Sequence, residues 1–360
     1  MAAAENRAAL ENVSVMHDDE FGGVYIRYSA EKLRLLGITF GDSVDIEFSN
    51  GFTVKGLPYY SGYYNPAGEA LLVAYPGYPF IKAAVNFGGD LWEIAGIGAG
   101  DTASVILAEK GKHLAVQTSR DIQYTDERGD YASDVVFANF RSVRAGNIKK
   151  DILYRSASPC DNKHNRAPYT DLLMARAGIR YILNLADNDE KIRQYMSEPG
   201  FASPKFSELY KNSCVLPAQM TMAYGTEDFR NRTALVLRAI AGHEGPYLVH
   251  CTEGKDRTGF ILILLEALCG AAYSEIEEDF MITYDNYYGI RRDSTPGKYD
   301  AIVNGIMYPM LYSIIGNESV DPATAGLCAC AERYALDIGL DRADLDRLRG
   351  NLTGTLAKDI

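Results

Sequence analysis

The residues best suited to chemistry lie in one run, His250-Cys251-Thr252-Glu253-Gly254-Lys255-Asp256-Arg257-Thr258-Gly259. Its frame is H-C-x-x-G-x-x-R-[ST], with five residues between Cys251 and Arg257. That spacing lets the backbone curl into a semicircle, so that successive N–H groups point inward at one tetrahedral anion. Gly254 permits the curve because no Cβ stands in the way. Residues 257–270 read as an apolar helix, whose N-terminus aims unpaired N–H groups and a positive dipole end at the same spot. That end favours a phosphate and a thiolate alike. Cys251 is therefore read as a thiolate nucleophile toward a phosphate ester, needing no separate base. Arg257 offers a planar fork for two phosphoryl oxygens, and the Thr258 hydroxyl can donate to the sulfur as it leaves. His250 is expected to order the loop through hydrogen bonds. The run is not a nucleotide-binding Walker sequence, since Asp256 stands where Ser or Thr would follow Gly-Lys. Two blander alternatives are a buried structural cysteine and a loop that binds phosphate without turnover.

Flanking elements must hold that loop. Tyr247–His250 is a short apolar strand leading straight into Cys251. Upstream, Val135–Arg141 and Asp151–Arg155 read as strands, Tyr169–Ala177 as a helix, Ile182–Leu185 as a buried strand and Val215-Leu216 as part of another. This alternation is that of an α/β domain. Thr226 caps a helix whose first turn carries Glu227 and Asp228 and which Gly242 ends. Ser274 and Glu277 form an S-x-x-E capping box opening a helix to about Tyr287, Asp321-Pro322 opens another, and the chain stays helical to near Leu352. Arg155 closes a strand ahead of the polar loop Ser158–Arg166, which can border the pocket. Arg155 and Arg166 are read either as second-line phosphate ligands or as structural arginines. Cys160 reaches Cys251 only if that loop folds over it.

The H-C-x-x-G-x-x-R-[ST] frame resembles the signature of the protein tyrosine phosphatase superfamily. Its Gly254-Lys255-Asp256-Arg257-Thr258 version, together with Leu153-Tyr154-Arg155-Ser156 and the helix around Asp279 to Tyr288, is similar to the bacterial tyrosine phosphatases that also act on phosphoinositides. The resemblance runs over residues 135–352. It implies Cys251 as nucleophile, Arg257 as phosphate ligand and the loop amides of Thr252, Glu253, Gly254, Lys255 and Asp256 as further phosphate contacts, with no metal or cofactor. Two departures concern the acid that protonates the leaving oxygen. No Trp-Pro-Asp loop exists, since the single tryptophan, Trp92, lies in the other part of the chain, and Asn184 and Ala186 stand where the family's strand-end Asp and Arg would be. The acid is reassigned to Asp187 or Asp189, just beyond the strand, or to Asp256 within the loop; Asp187 is preferred, and each is otherwise a solvated or bracing carboxylate.

Residues 21 to about 120 have a different texture. Val24–Tyr28, Ser43–Phe48, Phe52–Lys55, Leu71–Ala74 and Ala103–Leu107 read as short strands, with Ser49-Asn50-Gly51 as a tight hairpin in which Asn and Gly supply positive φ angles. Gly37-Ile38-Thr39-Phe40-Gly41-Asp42-Ser43 is echoed by Gly96-Ile97-Gly98-Ala99-Gly100-Asp101-Thr102, which suggests a small barrel built from a duplicated half. This segment weakly resembles the β-barrel half of proteins that hydrolyse or halogenate S-adenosylmethionine, and that resemblance implies a barrel alone. The tyrosine-rich stretch from Pro58 to Phe80 either covers the barrel ends or offers a ligand surface. The charged run from Gln123 to Ser133 reads as a linker, giving an all-β barrel domain over 1–125 and an α/β phosphatase domain over 126–360.

A formal charge of −12 argues against a nucleic-acid binder and against stable docking on anionic membranes, because both need a basic face. Met1–Leu10 lacks the pattern of a secretory leader, and no stretch reaches the roughly 18 apolar residues of a membrane span, so a soluble cytoplasmic protein is expected. Six cysteines at irregular spacing suit free thiols better than a disulfide framework, and the Cys328/Cys330 pair has no matching metal-ligand pair. The expected partner is a phosphotyrosine-containing protein or a phosphorylated small molecule. The alternatives are a phosphoinositide or inositol phosphate substrate, to which Lys255 lends weight, and a phosphate-sensing module without turnover.

Overall fold

The computed structural model describes residues 8–354 apart from 67, 76 and 87. The outer ends of the expected domains and most of Met1–Leu10 lie outside the described residues. The chain divides into two compact units, Met1–Ile122 with Asp300–Ile306, and Gln123–Tyr299 with Met307–Ile360.

The first unit contains β1 (Ala9–His17), β2 (Val24–Ile26), α1 (Ala30–Leu35), β3 (Ser43–Phe48), β4 (Thr53–Tyr60), β5 (Ala70–Val73), β6 (Ile81–Val85), α2 (Leu91–Ile94), β7 (Thr102–Glu109) and α3 (Leu114–Arg120). Its strands close into a barrel in the order β1-β2-β6-β5-β4-β3-β7, with β7 returning to β1, so among the described residues no strand edge is left open to pair with another chain. Val24, Ile26, Val44, Ile46, Ile81 and Val105 point into its core and are fully buried. The sequence echo has a structural counterpart. Asp42 accepts from the Thr39 amide at 2.7 Å and Asp101 from the Gly98 amide at 2.8 Å, each between a short side-chain-capped helix, α1 or α2, and a strand, β3 or β7. The β3–β4 hairpin differs in detail from expectation: only Gly51 takes a positive φ, and Asn50 acts through its side chain, which accepts from the Phe52 amide. Tyr59 and Tyr60 are buried on β4 rather than placed in a loop, and Tyr60 packs with Tyr63, Tyr64 and Tyr78 over Leu71 and Val73.

The second unit runs α4 (Asp134–Phe137), β8 (Arg141–Ser142), β9 (Leu153–Ser156), α5 (Ala167–Arg176), β10 (Tyr181–Asn184), α6 (Asp189–Ser197), α7 (Pro204–Lys211), β11 (Val215–Pro217), α8 (Glu227–Gly242), β12 (Tyr247–His250), α9 (Asp256–Leu268) and α10 (Tyr273–Tyr288). It continues with α11 (Pro296–Ile302), which the unit boundary divides, α12 (Tyr308–Ile315), α13 (Leu327–Asp337) and α14 (Arg342–Thr353). The sheet order is β11-β10-β12-β9-β8, parallel except for β8. Ser156, His250 and Asn184 stand side by side in register, so the loops leaving β9, β10 and β12 emerge at one edge, where open α/β sheets place their ligands. Every residue from Thr258 to Leu268 is buried, which explains why α9 is apolar on all faces.

Four local expectations are corrected. Of Val135–Arg141 only Arg141 is in a strand, as the first residue of β8: Ser133 caps the helix α4, and Asn139 follows it in a left-handed conformation. Helix α10 starts before the expected box, with Ala272 at the N-cap and its amide donating to Glu275, while Glu277 is buried and accepts from Tyr299. Asp321-Pro322 opens a turn closed by the Thr324 amide rather than a helix, and α13 begins only after Gly326. The segment from Gln123 to Ser133 is no free linker, because Tyr124, Asp126 and Tyr131 are bonded into the second unit. Among the described residues, no helix is long and apolar enough to cross a membrane. All six cysteines are unbridged.

Candidate active site

The Cys251–Arg257 loop joins β12 to α9. Its carbonyl groups are taken from behind. Thr252 accepts from the Ser158 amide at 3.0 Å, Glu253 from the Tyr287 hydroxyl at 2.7 Å, and Gly254 from Arg155 Nη2 at 2.9 Å and Asn139 Nδ2 at 3.3 Å. In a trans peptide the N–H points opposite the carbonyl, so the amides of Glu253, Gly254 and Lys255 are turned to the other side. Among the described residues none of these amides donates to a protein acceptor. Gly254 sits at φ +67°, and a Cβ there would meet the Ser156 carbonyl oxygen at 2.1 Å, which ties the glycine to this close crossing of loop and strand.

The buried bracing residues form one network. Asp279 on α10 bonds Arg155 Nη1 at 2.6 Å and Arg141 Nε at 3.0 Å. Although burial opposes ionisation, these two guanidiniums hold the Asp279 carboxyl well below the usual carboxylate range. Arg155 is thus spent on Asp279 and the Gly254 carbonyl behind the loop, and does not line the pocket as a phosphate ligand would. Arg166 is likewise fully committed: its five N–H groups serve the carbonyls of Phe137, His164 and Thr125, the Asp126 carboxylate and the Tyr131 hydroxyl. Of the two readings of these arginines, the structural one fits.

The pocket in front of the loop holds about 410 Å³ and is lined by Cys251, Thr252, Glu253, Lys255, Asp256 and Arg257, with Lys163 and His164 from one flanking loop and Met220, Thr221 and Met222 from another. Cys251 is 3% exposed and faces this cavity. Arg257 is steered by the Met220 carbonyl at 3.4 Å and the Thr252 hydroxyl at 3.2 Å. His250 is completely buried, with Nδ1 3.2 Å from the Cys251 carbonyl, and burial pushes its pKa down to about 4. The Thr258 hydroxyl is buried without a partner among the described residues. The methionine loop was not legible in the sequence; its one clue was its position after a strand of the parallel sheet.

The carboxylates separate. Asp187 lies outside the pocket, buried against Asn184 at 3.1 Å and Cys160 Sγ at 4.0 Å, and burial, with the nearby Asp161 charge, raises its pKa. Asp189 opens α6 and accepts from Tyr210. Asp256 lines the pocket at the first position of α9.

Two comparisons bear on this geometry. Residues 137–354 match a family described as a tyrosine phosphatase family. A curated tyrosine-protein phosphatase of Nostoc commune is 28% identical over 135 residues, covering 32% of this chain and 42% of that protein. The chain therefore spans less than half the length of that relative.

Proposed function

Because the chain belongs to the tyrosine phosphatase family, we propose that it hydrolyses phosphotyrosine in proteins through a cysteinyl-phosphate intermediate. The observation that carries this reading is the loop itself: carbonyls anchored behind, three undonated amides in front, and Cys251 and Arg257 on one cavity. In this mechanism the Cys251 thiolate attacks phosphorus and a P–S bond forms as the P–O bond to tyrosine breaks. Asp256 gives its proton to the leaving oxygen, a role its place in the pocket supports over that of Asp187. A water then attacks phosphorus, passes its proton to Asp256, and releases phosphate and the thiolate, to whose sulfur Thr258 donates. The amides and Arg257 stabilise the equatorial oxygens throughout, as pre-aimed donors in a confined site do. Met220 and Met222 offer soft apolar walls to an aromatic ring.

Lys255, the residue that favours inositol phosphates in sequence, is held 3.1 Å from Glu253, which supports the phosphotyrosine reading over that alternative. Hydrolysis of phosphotyrosine peptides is to be compared with that of soluble and lipid inositol phosphates, for wild type and Cys251→Ser. Preference for the inositol phosphates overturns the substrate assignment, and equal phosphate release by both proteins overturns the enzyme.

A further inference from the structure

A carboxylate on the wall of an oxyanion pocket repels the ligand, so Glu253 calls for an explanation. Glu253 lines the cavity, and its carboxylate is held by Tyr124, far off in sequence, and by Lys255 within the loop. Oε1 accepts from the Tyr124 hydroxyl at 2.6 Å, and Oε2 lies 3.1 Å from Lys255 Nζ. Tyr124 is itself fixed, stacked on Tyr287 with ring centroids 5.2 Å apart and with the Arg166 guanidinium 4.8 Å from its ring centre. Lys255 is held in turn: besides Glu253 it reaches the Tyr288 hydroxyl at 3.3 Å and lies 3.8 Å from Asp256. Burial opposes the charge on Glu253, but the Lys255 ammonium and the Tyr124 hydroxyl keep it ionised. The second cation of the loop is therefore matched by carboxylates, Glu253 at 3.1 Å and Asp256 at 3.8 Å, and this side of the pocket offers a ligand no net positive charge.

We propose that Glu253 and Lys255 form a charge filter, locked by Tyr124, that makes the site favour esters bearing one phosphate over multiply phosphorylated ones. The proposal rests on the phosphatase reading above. A second phosphate approaching this wall meets the Glu253 carboxylate as well as the ammonium, so it gains little from Lys255; the reacting phosphate is served by the amides and Arg257 and does not depend on Lys255. Discrimination built from a repulsive group is a common way to achieve specificity.

The test compares kcat/KM for a phosphotyrosine peptide and for a soluble inositol bisphosphate. Glu253→Gln keeps the shape and removes the charge nearest Lys255. The expected result is a rise of about tenfold in the bisphosphate-to-phosphotyrosine ratio, as suits one unit charge at a few ångströms in a partly wet site, carried by a lower KM for the bisphosphate. Tyr124→Phe shifts the ratio the same way by less, and adding Lys255→Ala to Glu253→Gln cancels the gain. A ratio within twofold of wild type in Glu253→Gln, or a gain that survives loss of Lys255, overturns the filter while leaving the phosphatase intact. Wild type that hydrolyses neither substrate removes the phosphatase reading and the filter with it.

Discussion

Substituting Gly254 by alanine probes the loop geometry directly, and Gly178 supplies a matched control. The two glycines have nearly the same backbone, φ +67° and +68°, yet a Cβ at Gly178 meets nothing within 4 Å while one at Gly254 lies 2.1 Å from the Ser156 carbonyl oxygen and 2.5 Å from its carbon. Both changes force a left-handed conformation on a residue with a side chain, at about 1–2 kcal/mol. Only Gly254→Ala adds a steric overlap, and relieving it needs a movement of more than about 1 Å, given ordinary non-bonded contacts near 3.5 Å. Ser156 resists the movement, because it is held in register opposite His250 of β12 and the next residue's amide is bonded to the Ala138 carbonyl. The loop must move instead, away from the anchors on Glu253 and Gly254. Overpacking of this kind costs about 1–3 kcal/mol more, so Gly254→Ala is expected to lose about 2–5 kcal/mol in urea unfolding and Gly178→Ala about 1–2 kcal/mol. A misplacement of about 1 Å costs about 100-fold in rate, so kcat/KM for p-nitrophenyl phosphate falls at least that far in Gly254→Ala and little in Gly178→Ala. If the two variants match each other in both stability and activity, the close crossing of loop and strand does not set the site's geometry.

The remaining expectations concern protons. His250 titrates near 4 in the folded protein against 6.5 when exposed, so between those values the unfolded chain binds a proton that the folded one does not. Its contribution is complete above about pH 6.5 and is lost as pH falls toward 4, a difference of about 3 kcal/mol; wild type should lose that much more than His250→Asn across this window in urea unfolding, and equal losses contradict the assignment. Asp256→Asn should lower kcat for a phosphotyrosine peptide by about 100-fold or more, and far less for p-nitrophenyl phosphate, whose leaving group needs no proton. Asp187→Asn should show no such dependence on leaving group, and the reverse pattern would return the acid's role to Asp187.

What the sequence disclosed is what local chemistry enforces. Tyr247–His250 and the helix after it are read correctly because an apolar strand, a glycine and an apolar helix leave few other folds for Cys251, and Thr226 and Gly242 mark α8 because caps act within one turn. Val135 and Val136 favour a strand by propensity, but the Ser133 cap and the left-handed Asn139 decide for a helix, since the segment must bring Asn139 to the back of the loop. The run from Gln123 to Ser133 looks like a linker because it is charged; its structural part is carried by Tyr124, Asp126 and Tyr131 through contacts 30 or more residues distant, which no local pattern reveals. Arg155 and Arg166 show the same limit. Their residue type suits phosphate, and only their buried partners show that each is already spent. Asp187 follows a strand end where an acid is plausible, yet the side chain turns toward Cys160 and Asn184.

The most direct test of the covalent mechanism is to quench wild type with acid during turnover of a phosphotyrosine peptide, digest it, and locate phosphate by mass spectrometry. The mechanism predicts phosphate on the peptide containing Cys251, accumulating when the nucleophile and Arg257 are intact, and none in Cys251→Ser. Sustained turnover by Cys251→Ser, or phosphate carried on any other residue during turnover, contradicts it.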